Sequence, residues 1–181
     1  MTWNIRGLNA PNKWRLIKRQ IDEAKGDIWV LKETKRNKSK IDMQMRVWRQ
    51  WTRKFVEVDG ASGGIGIIWN PLVVKGEVVD EGKHWQQCKI TLLSNNESFF
   101  IYNIYGPTAT PEKRELWNLI SSKLDGCNRV KSIISWDFNA TFNDQEKAGG
   151  IQRPSVTQRD FQNYIDRNSL IDIVPKNGVF T

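Results

Sequence analysis

Apolar residues recur along this chain with two different periods. Alternation and short unbroken apolar runs mark strands, whereas i, i+3, i+4 spacing marks helices. Met1–Arg6 reads as a strand with almost no lead-in, and Gly7–Asn12 reads as a turn. Lys13–Lys25 places Trp14, Ile17, Ile21 and Ala24 at helical spacing, with Gly26 expected to stop the helix. Asp27–Glu33 is apolar through Ile28, Trp29, Val30 and Leu31, the pattern of a buried strand, and it ends on an acid. A short helix is expected over Ser39–Gln50.

The middle of the chain is dominated by strand signals. Phe55–Val58, Gly64–Trp69, Val73–Val79, Gln87–Leu93 and Phe99–Ile104 are expected strands, with turns at Asp59-Gly60, Asn70-Pro71, Glu81-Gly82 and Asn95-Asn96. Pro111–Leu124 predicts a helix with Thr110 as N-cap, proline at its first position and Glu112 in its first turn. Val130–Trp136 is a further strand and Asn143–Pro154 a polar loop. Ser155–Asn168 is a helix with Phe161, Tyr164 and Ile165 on one face, and Leu170–Val174 and Val179–Thr181 read as strand ends. No internal repeat or linker interrupts residues 1–181, so a single domain of stacked sheets flanked by helices is expected.

Composition adds a partner class. The 181 residues carry 28 Lys+Arg against 20 Asp+Glu, a net charge of +8 that favours a polyanion, with nucleic acid first among them. Part of the excess lies in the run Lys32–Lys40, which fits a solvated loop as well as a phosphate-binding patch. Nine tryptophans imply that most sit in the core or at an interface. Cys88 and Cys127 lack metal-ligand spacing and are expected to be free thiols of a reducing compartment. No transmembrane-length apolar run or signal-peptide core is present, so no membrane partner is expected and the location is expected to be intracellular, nuclear or cytoplasmic.

The candidate chemistry sits at strand ends. Ile133–Asn139 is an apolar run ending on Asp137 and Asn139, which a period of two directs to the same side. Three other β-like runs also deliver a polar group at their ends: Asn4 in Thr-Trp-Asn-Ile-Arg-Gly-Leu, Glu33 in Trp-Val-Leu-Lys-Glu-Thr, and Tyr105 in Tyr-Asn-Ile-Tyr-Gly-Pro. Singly, each suits a plainer role: a turn asparagine, a solvated strand-end acid, a core ring, a cap. Four in this order, with these neighbours, are hard to obtain by chance.

Over essentially its whole length the chain resembles the endonuclease/exonuclease/phosphatase superfamily, the deoxyribonuclease-I-like fold, and within it the endonuclease domains of plant non-LTR (LINE-type) retrotransposons. The matching segments are Trp3–Leu8, Glu33-Thr34, Gly63–Trp69, Tyr105-Gly106-Pro107, Asp137–Ala140, Glu146-Lys147 with Gly149-Gly150, and Leu170-Ile171-Asp172 leading to Gly178–Thr181. The resemblance implies a four-layer α/β/β/α sandwich, Mg²⁺ or Mn²⁺ as cofactor, and phosphodiester hydrolysis on DNA. It implies that Glu33, Asn4 and Asp137 surround the metal. Asp137 would align or deprotonate the attacking water, Asn139 would orient the scissile phosphate, and Tyr105 would support the phosphate or the leaving side.

Several positions depart from that family. Its sites are completed by a Ser-Asp-His segment and a further aspartate beyond Phe-Thr-Trp, whereas this chain ends at Thr181 and has one histidine, His84, elsewhere. The sandwich is therefore expected to be incomplete at its C-terminal end, with weak or absent nuclease activity. An open sheet edge would then favour a homodimer or a protein partner. Lys32 stands where the family has Gln, with an expected pull on either Glu33 or a phosphate, and Ser135-Trp136 replaces Gly-Gly, with Trp136 expected to crowd its neighbours. The alternative to a working nuclease is an inactive nucleic-acid-binding or protein-interaction module.

Overall fold

The computed structural model describes residues 1–8, 13–35, 50–56, 63–127, 130–137 and 156–173. Its elements, in chain order, are β1 (Thr2–Asn4), α1 (Lys13–Ala24), β2 (Ile28–Lys32), β3 (Thr52–Val56), β4 (Ile65–Trp69), β5 (Val74–Gly82), β6 (Trp85–Leu92), β7 (Ser98–Tyr105), α2 (Thr110–Gly126), β8 (Ser132–Asp137) and α3 (Val156–Arg167). The chain divides into two compact units, one of Met1–Tyr105 with Arg129–Asp137, the other of Gly106–Asn128 with Phe138–Thr181.

The first unit holds two four-stranded sheets, ordered β1-β2-β4-β3 and β5-β6-β7-β8. Parallel pairs join β1 to β2 and β7 to β8, and the other neighbours are antiparallel. The alternation of β2 explains its burial on both faces. Trp29 and Leu31 join Ile5, Leu8, Ile17, Ile21, Phe55 and Ile68 in a cluster beneath α1. Val30, one residue out of phase, joins Ile67, Trp69, Val74, Cys88, Ile90 and Ile101 between the sheets. The unit is thus three layers, with α1, the first sheet and the second sheet in that order.

Two glycines keep this core closed. A Cβ on Gly66 would lie 2.1 Å from Cδ1 of Phe55, and one on Gly76 would lie 2.6 Å from Cε2 of Trp69. Each missing side chain is the space that a neighbouring ring fills.

In the second unit, α2 and α3 pack through aromatic rings. Trp117 lies 5.8 Å from Phe161 and 6.0 Å from Tyr164, centroid to centroid. Arg114 pairs with Asp160, and Asn168 Nδ2 donates to Ser121 Oγ at 2.9 Å. With two sheets and three helices among the described residues, the chain is a mixed α/β protein, as the hydrophobic pattern predicts. No described helix is long and apolar enough to cross a membrane.

Element ends differ from the pattern in identifiable ways. Lys25, at φ +49°, makes the left-handed turn that ends α1, one residue before the expected Gly26. The N-cap of α2 is Ala109, without a side-chain cap, and Thr110 is already helical. β5 runs through Glu81-Gly82, so the turn to β6 falls on Lys83-His84. Residues 170–173 form no ladder. The expected helix at Ser39–Gln50 and strand end at Val179–Thr181 fall outside the described residues, except that Gln50 is described as a turn.

Candidate active site

Four strand ends meet in the first unit. Asn4 closes β1, Glu33 follows β2, Tyr105 closes β7 and Asp137 closes β8. Parallel pairing sets the ends level, with Asn4 opposite Lys32 and Tyr105 opposite Asp137. The Asn4 amide then bridges two acids. Its Nδ2 donates to Glu33 Oε1 at 3.1 Å and to Asp137 Oδ2 at 2.9 Å. The Asn4 oxygen accepts the Arg6 backbone N–H at 3.1 Å, which fixes the amide with its NH₂ toward the carboxylates. Tyr105 Oη donates to Glu33 Oε1 at 3.0 Å, and Lys35 Nζ lies 3.2 Å from Glu33 Oε2.

The backbone around Glu33 is bent to make this possible. Arg6, Glu33 and Lys35 have φ of +48°, +52° and +51°, a left-handed region that non-glycine residues adopt at a cost of about 1 kcal/mol or more each. Backbone bonds on both sides hold the bend. Gly7 and Leu8 donate to the carbonyls of Glu33 and Thr34, while Thr34 and Lys35 donate to Gly64 and Gly63. Gly63 and Gly64 both have φ +86°, which glycine adopts freely, so the Gly-Gly before β4 is what lets that strand lie against the bend.

Charge is distributed in two tiers. In the upper tier, burial pushes the Glu33 carboxyl upward, but hydrogen bonds from Asn4, Lys35 and Tyr105 and the Lys35 charge outweigh it and hold it below its ordinary value. Glu33 is therefore an anion at neutral pH. In the lower tier, Lys32 is buried, 3% exposed, and its Nζ donates to Thr2 Oγ1 at 2.9 Å and to Ser135 Oγ. Burial lowers the Lys32 ammonium to about 8, with the Asp137 charge opposing the shift.

The fold thus brings together Asn4, Glu33, Tyr105 and Asp137, four of the five expected site residues. Asn139 lies outside the described residues. One sequence expectation is corrected. Lys32 contacts neither Glu33 nor the site mouth, because strand alternation turns it inward with Val30. The cation on Glu33 is Lys35, whose only sequence signal was membership of the basic run. Trp136 alternates with Ser135 and Asp137 and so takes the other face of β8, leaving Ser135 to meet Lys32. His84, in the β5–β6 turn, has Nδ1 3.2 Å from the Tyr105 carbonyl, which ties it to the main chain of a site residue.

The donor set suits a hard cation: two carboxylates and an amide, with a phenol against one carboxylate. As oriented, Asn4 offers nitrogen to the acids, so its oxygen becomes a ligand only if the amide turns over. Among the described residues no three His, Cys, Asp or Glu side chains form a metal cage. An open site of few protein ligands is what Mg²⁺, which keeps several waters, accepts.

No protein-family profile matches the chain, and no curated protein matches it by sequence. Solved structures do match by shape. An endonuclease/exonuclease/phosphatase family protein from Bacteroides thetaiotaomicron has a TM-score of 0.61 and 13% identity, over 76% of this chain and 62% of that one. The 3′ phosphatase NExo from Neisseria, bound to product DNA hairpin, has a TM-score of 0.66 and 19% identity, over 91% and 69%. A mannosyl-6-phosphatase from Bacteroides thetaiotaomicron has a TM-score of 0.63 and 13% identity, over 90% and 68%. The chain therefore spans about two thirds of the length of these structures. Two sheets with three helices among the described residues and these neighbours together give the chain a deoxyribonuclease-I-like α/β fold, shared by nucleases and phosphatases.

Proposed function

We propose that the strand-end cluster is a divalent-metal-assisted phosphodiester hydrolase site that acts on DNA, of the LINE-type retrotransposon endonuclease lineage that the sequence motifs resemble. The observation that carries this reading is the Asn4 amide bridging Glu33 and Asp137, with Tyr105 on the same Glu33 oxygen. Two acids held by one amide form a preorganised anionic pocket.

Glu33 and Asp137 would hold Mg²⁺ or Mn²⁺, with Asn4 beside them. When bound, the ion supplies Lewis-acid polarisation of a phosphoryl oxygen. Lys35, displaced from Glu33, is free to turn its ammonium toward a phosphate oxygen. Asp137 orients the attacking water and accepts its proton. Tyr105 Oη has one hydrogen, which Glu33 Oε1 accepts; turned away from Glu33 it would support the phosphate or the leaving-group side. Asn139 would orient the scissile phosphate.

The net charge of +8 supports a polymeric anion over a small phosphomonoester, and the DNA hairpin held by the Neisseria protein points the same way. The sugar-phosphate specificity of the Bacteroides protein is the competing substrate class. Turnover should be slow. Among the described residues no imidazole joins the cluster, and His84 is bound to the Tyr105 main chain. An imidazole acting as a further acid–base group would be worth on the order of 10²–10⁴-fold. The ion pair of Lys35 with Glu33 favours a second reading, in which the chain binds nucleic acid without cleaving it. Such binding would weaken steeply with salt and need no metal.

Supercoiled plasmid and mannose 6-phosphate, each incubated with the protein with and without Mg²⁺, separate these readings. Slow plasmid nicking that requires Mg²⁺, without phosphate release from the sugar, is the expected result. Phosphate release alone would make the chain a phosphatase, and salt-sensitive DNA binding without cleavage would make it a binding module.

A further inference from the structure

One residue of the β5–β6 turn holds the main chain of a site residue at two points. His84 lies opposite Tyr105 when the β6–β7 register, which pairs Trp85 with Ile104, is carried one residue further. The Tyr105 N–H donates to the His84 carbonyl at 2.9 Å, and His84 Nδ1 lies 3.2 Å from the Tyr105 carbonyl oxygen. A hydrogen-bonded antiparallel pair exchanges two main-chain bonds at such a position, and here the imidazole supplies the second donor. The turn that carries His84 is itself packed in place. Trp85 is buried, and its indole occupies the space over Gly82, where a Cβ would stand 2.5 Å from Nε1.

A carbonyl oxygen only accepts, so His84 Nδ1 carries a hydrogen. That holds for the Nδ1–H tautomer and for imidazolium alike, and the contact therefore does not depend on the charge of the ring. The other end of Tyr105 is equally defined. Its Oη donates to Glu33 Oε1 at 3.0 Å, and its ring lies beside Gly63, where a Cβ would be 3.9 Å from Cδ1. Tyr105 is the last residue of β7, before Gly106 and Pro107, so His84 holds the main chain at the point where the strand stops. The hydroxyl is the far end of a rigid ring. A small tilt of the main chain at Tyr105 is magnified there, and hydrogen bonds weaken steeply with angle.

We propose that His84 is a positioning residue of the site, one that clamps the Tyr105 main chain through Nδ1–H and thereby aims the phenol at Glu33. The effect on turnover rests on the hydrolase reading above, whereas the effect on Tyr105 does not. What His84 contributes is a hydrogen at Nδ1, not a proton exchanged at Nε2. Asparagine can place an amide N–H where Nδ1 stands, and the longer glutamine places its amide where Nε2 stands. A clamp is therefore rescued by asparagine and not by glutamine, and an acid–base histidine is rescued by neither.

The test compares the full chain as wild type, His84→Asn, His84→Gln and His84→Ala, by carbon NMR of the tyrosine Cζ atoms and by Mg²⁺-dependent plasmid nicking. The chain has three tyrosines, and Tyr105→Phe identifies the signal of Tyr105. That signal is expected to be the same in wild type and His84→Asn, and to move in His84→Gln and His84→Ala as the phenol leaves the carboxylate. Nicking is expected to fall roughly tenfold in the glutamine and alanine variants, as for Tyr105→Phe, and no further when either is combined with Tyr105→Phe. An unmoved Tyr105 signal in His84→Gln and His84→Ala overturns the proposal, as does a signal in His84→Asn that matches His84→Ala. Loss of the cooperative melt in all three variants also overturns it, because His84 would then be holding the turn. The hydrolase reading is judged separately. Wild type that does not nick, with the Cζ signals moving as expected, removes that reading and upholds the clamp. Wild type that nicks, with an unmoved Tyr105 signal in every variant, removes the clamp alone.

Discussion

Replacing Glu33 or Asp137 by alanine should lower Mg²⁺-dependent plasmid nicking by roughly 10³-fold each, several kcal/mol of barrier at about 1.4 kcal/mol per tenfold. The reason is local. Glu33 accepts hydrogen bonds from Asn4 and Tyr105 and pairs with Lys35, so its removal strips three side chains of one partner at once. Loss of Asp137 frees one of the two hydrogens of the Asn4 amide and, on the proposed mechanism, removes the acid that would face the attacking water. Because Asn4 couples the two acids, the double variant should be little worse than either single one, as for groups that act as a unit. Tyr105→Phe, which deletes one hydrogen bond to Glu33, should cost only about tenfold. Nicking that survives both alanine substitutions would remove these residues from the chemistry.

Trp29→Ala should be the most damaging single change to stability, at about 3–5 kcal/mol, or a fall in Tm of roughly 6–20 °C for a chain of this size. Trp29 is fully buried, on the face of β2 that meets Ile17 and Ile21 of α1. Its Nε1 donates to the Gly26 carbonyl at 2.7 Å, pinning the α1–β2 connection. Trp29→Phe keeps the ring and loses only that hydrogen bond and some volume, and should recover most of the loss. The measurement is thermal unfolding followed by circular dichroism, and a fall of less than about 1 kcal/mol for alanine would contradict this packing.

What the sequence made legible follows from burial. β2 and β4 are short apolar runs bounded by polar residues, and their lengths alone identify them as strands. The tryptophan excess was informative for the same reason: Trp29, Trp69, Trp85 and Trp117 are buried. Strand ends that converge on one spot could be paired from their polar termini, and Asn4, Glu33, Tyr105 and Asp137 do meet.

What was not legible depends on backbone shape and phase. A strand buried on both faces hides which face carries Lys32, although the period of two, counted from Val30, would have turned it inward. Left-handed φ at Arg6, Glu33 and Lys35 is not encoded by residue type, so the return of Lys35 onto Glu33 had no signal beyond basic charge. The direction of the Asn4 amide depends on the Arg6 main-chain N–H, a group that every non-proline residue carries. Helix ends were misplaced by one residue where an uncapped Ala109 and a left-handed Lys25 took the roles expected of Thr110 and Gly26.

The central claim is that Asn4, Glu33, Tyr105 and Asp137 form one metal-binding pocket, and a Mn²⁺ titration followed by amide NMR tests it most directly. A paramagnetic ion broadens resonances in its immediate surroundings. The account predicts that substoichiometric Mn²⁺ first erases the amide signals of Asn4, Glu33, Tyr105 and Asp137 and their strand neighbours, and that excess Mg²⁺ restores them. Broadening centred elsewhere on the chain, or a spectrum unchanged by Mn²⁺, would contradict it.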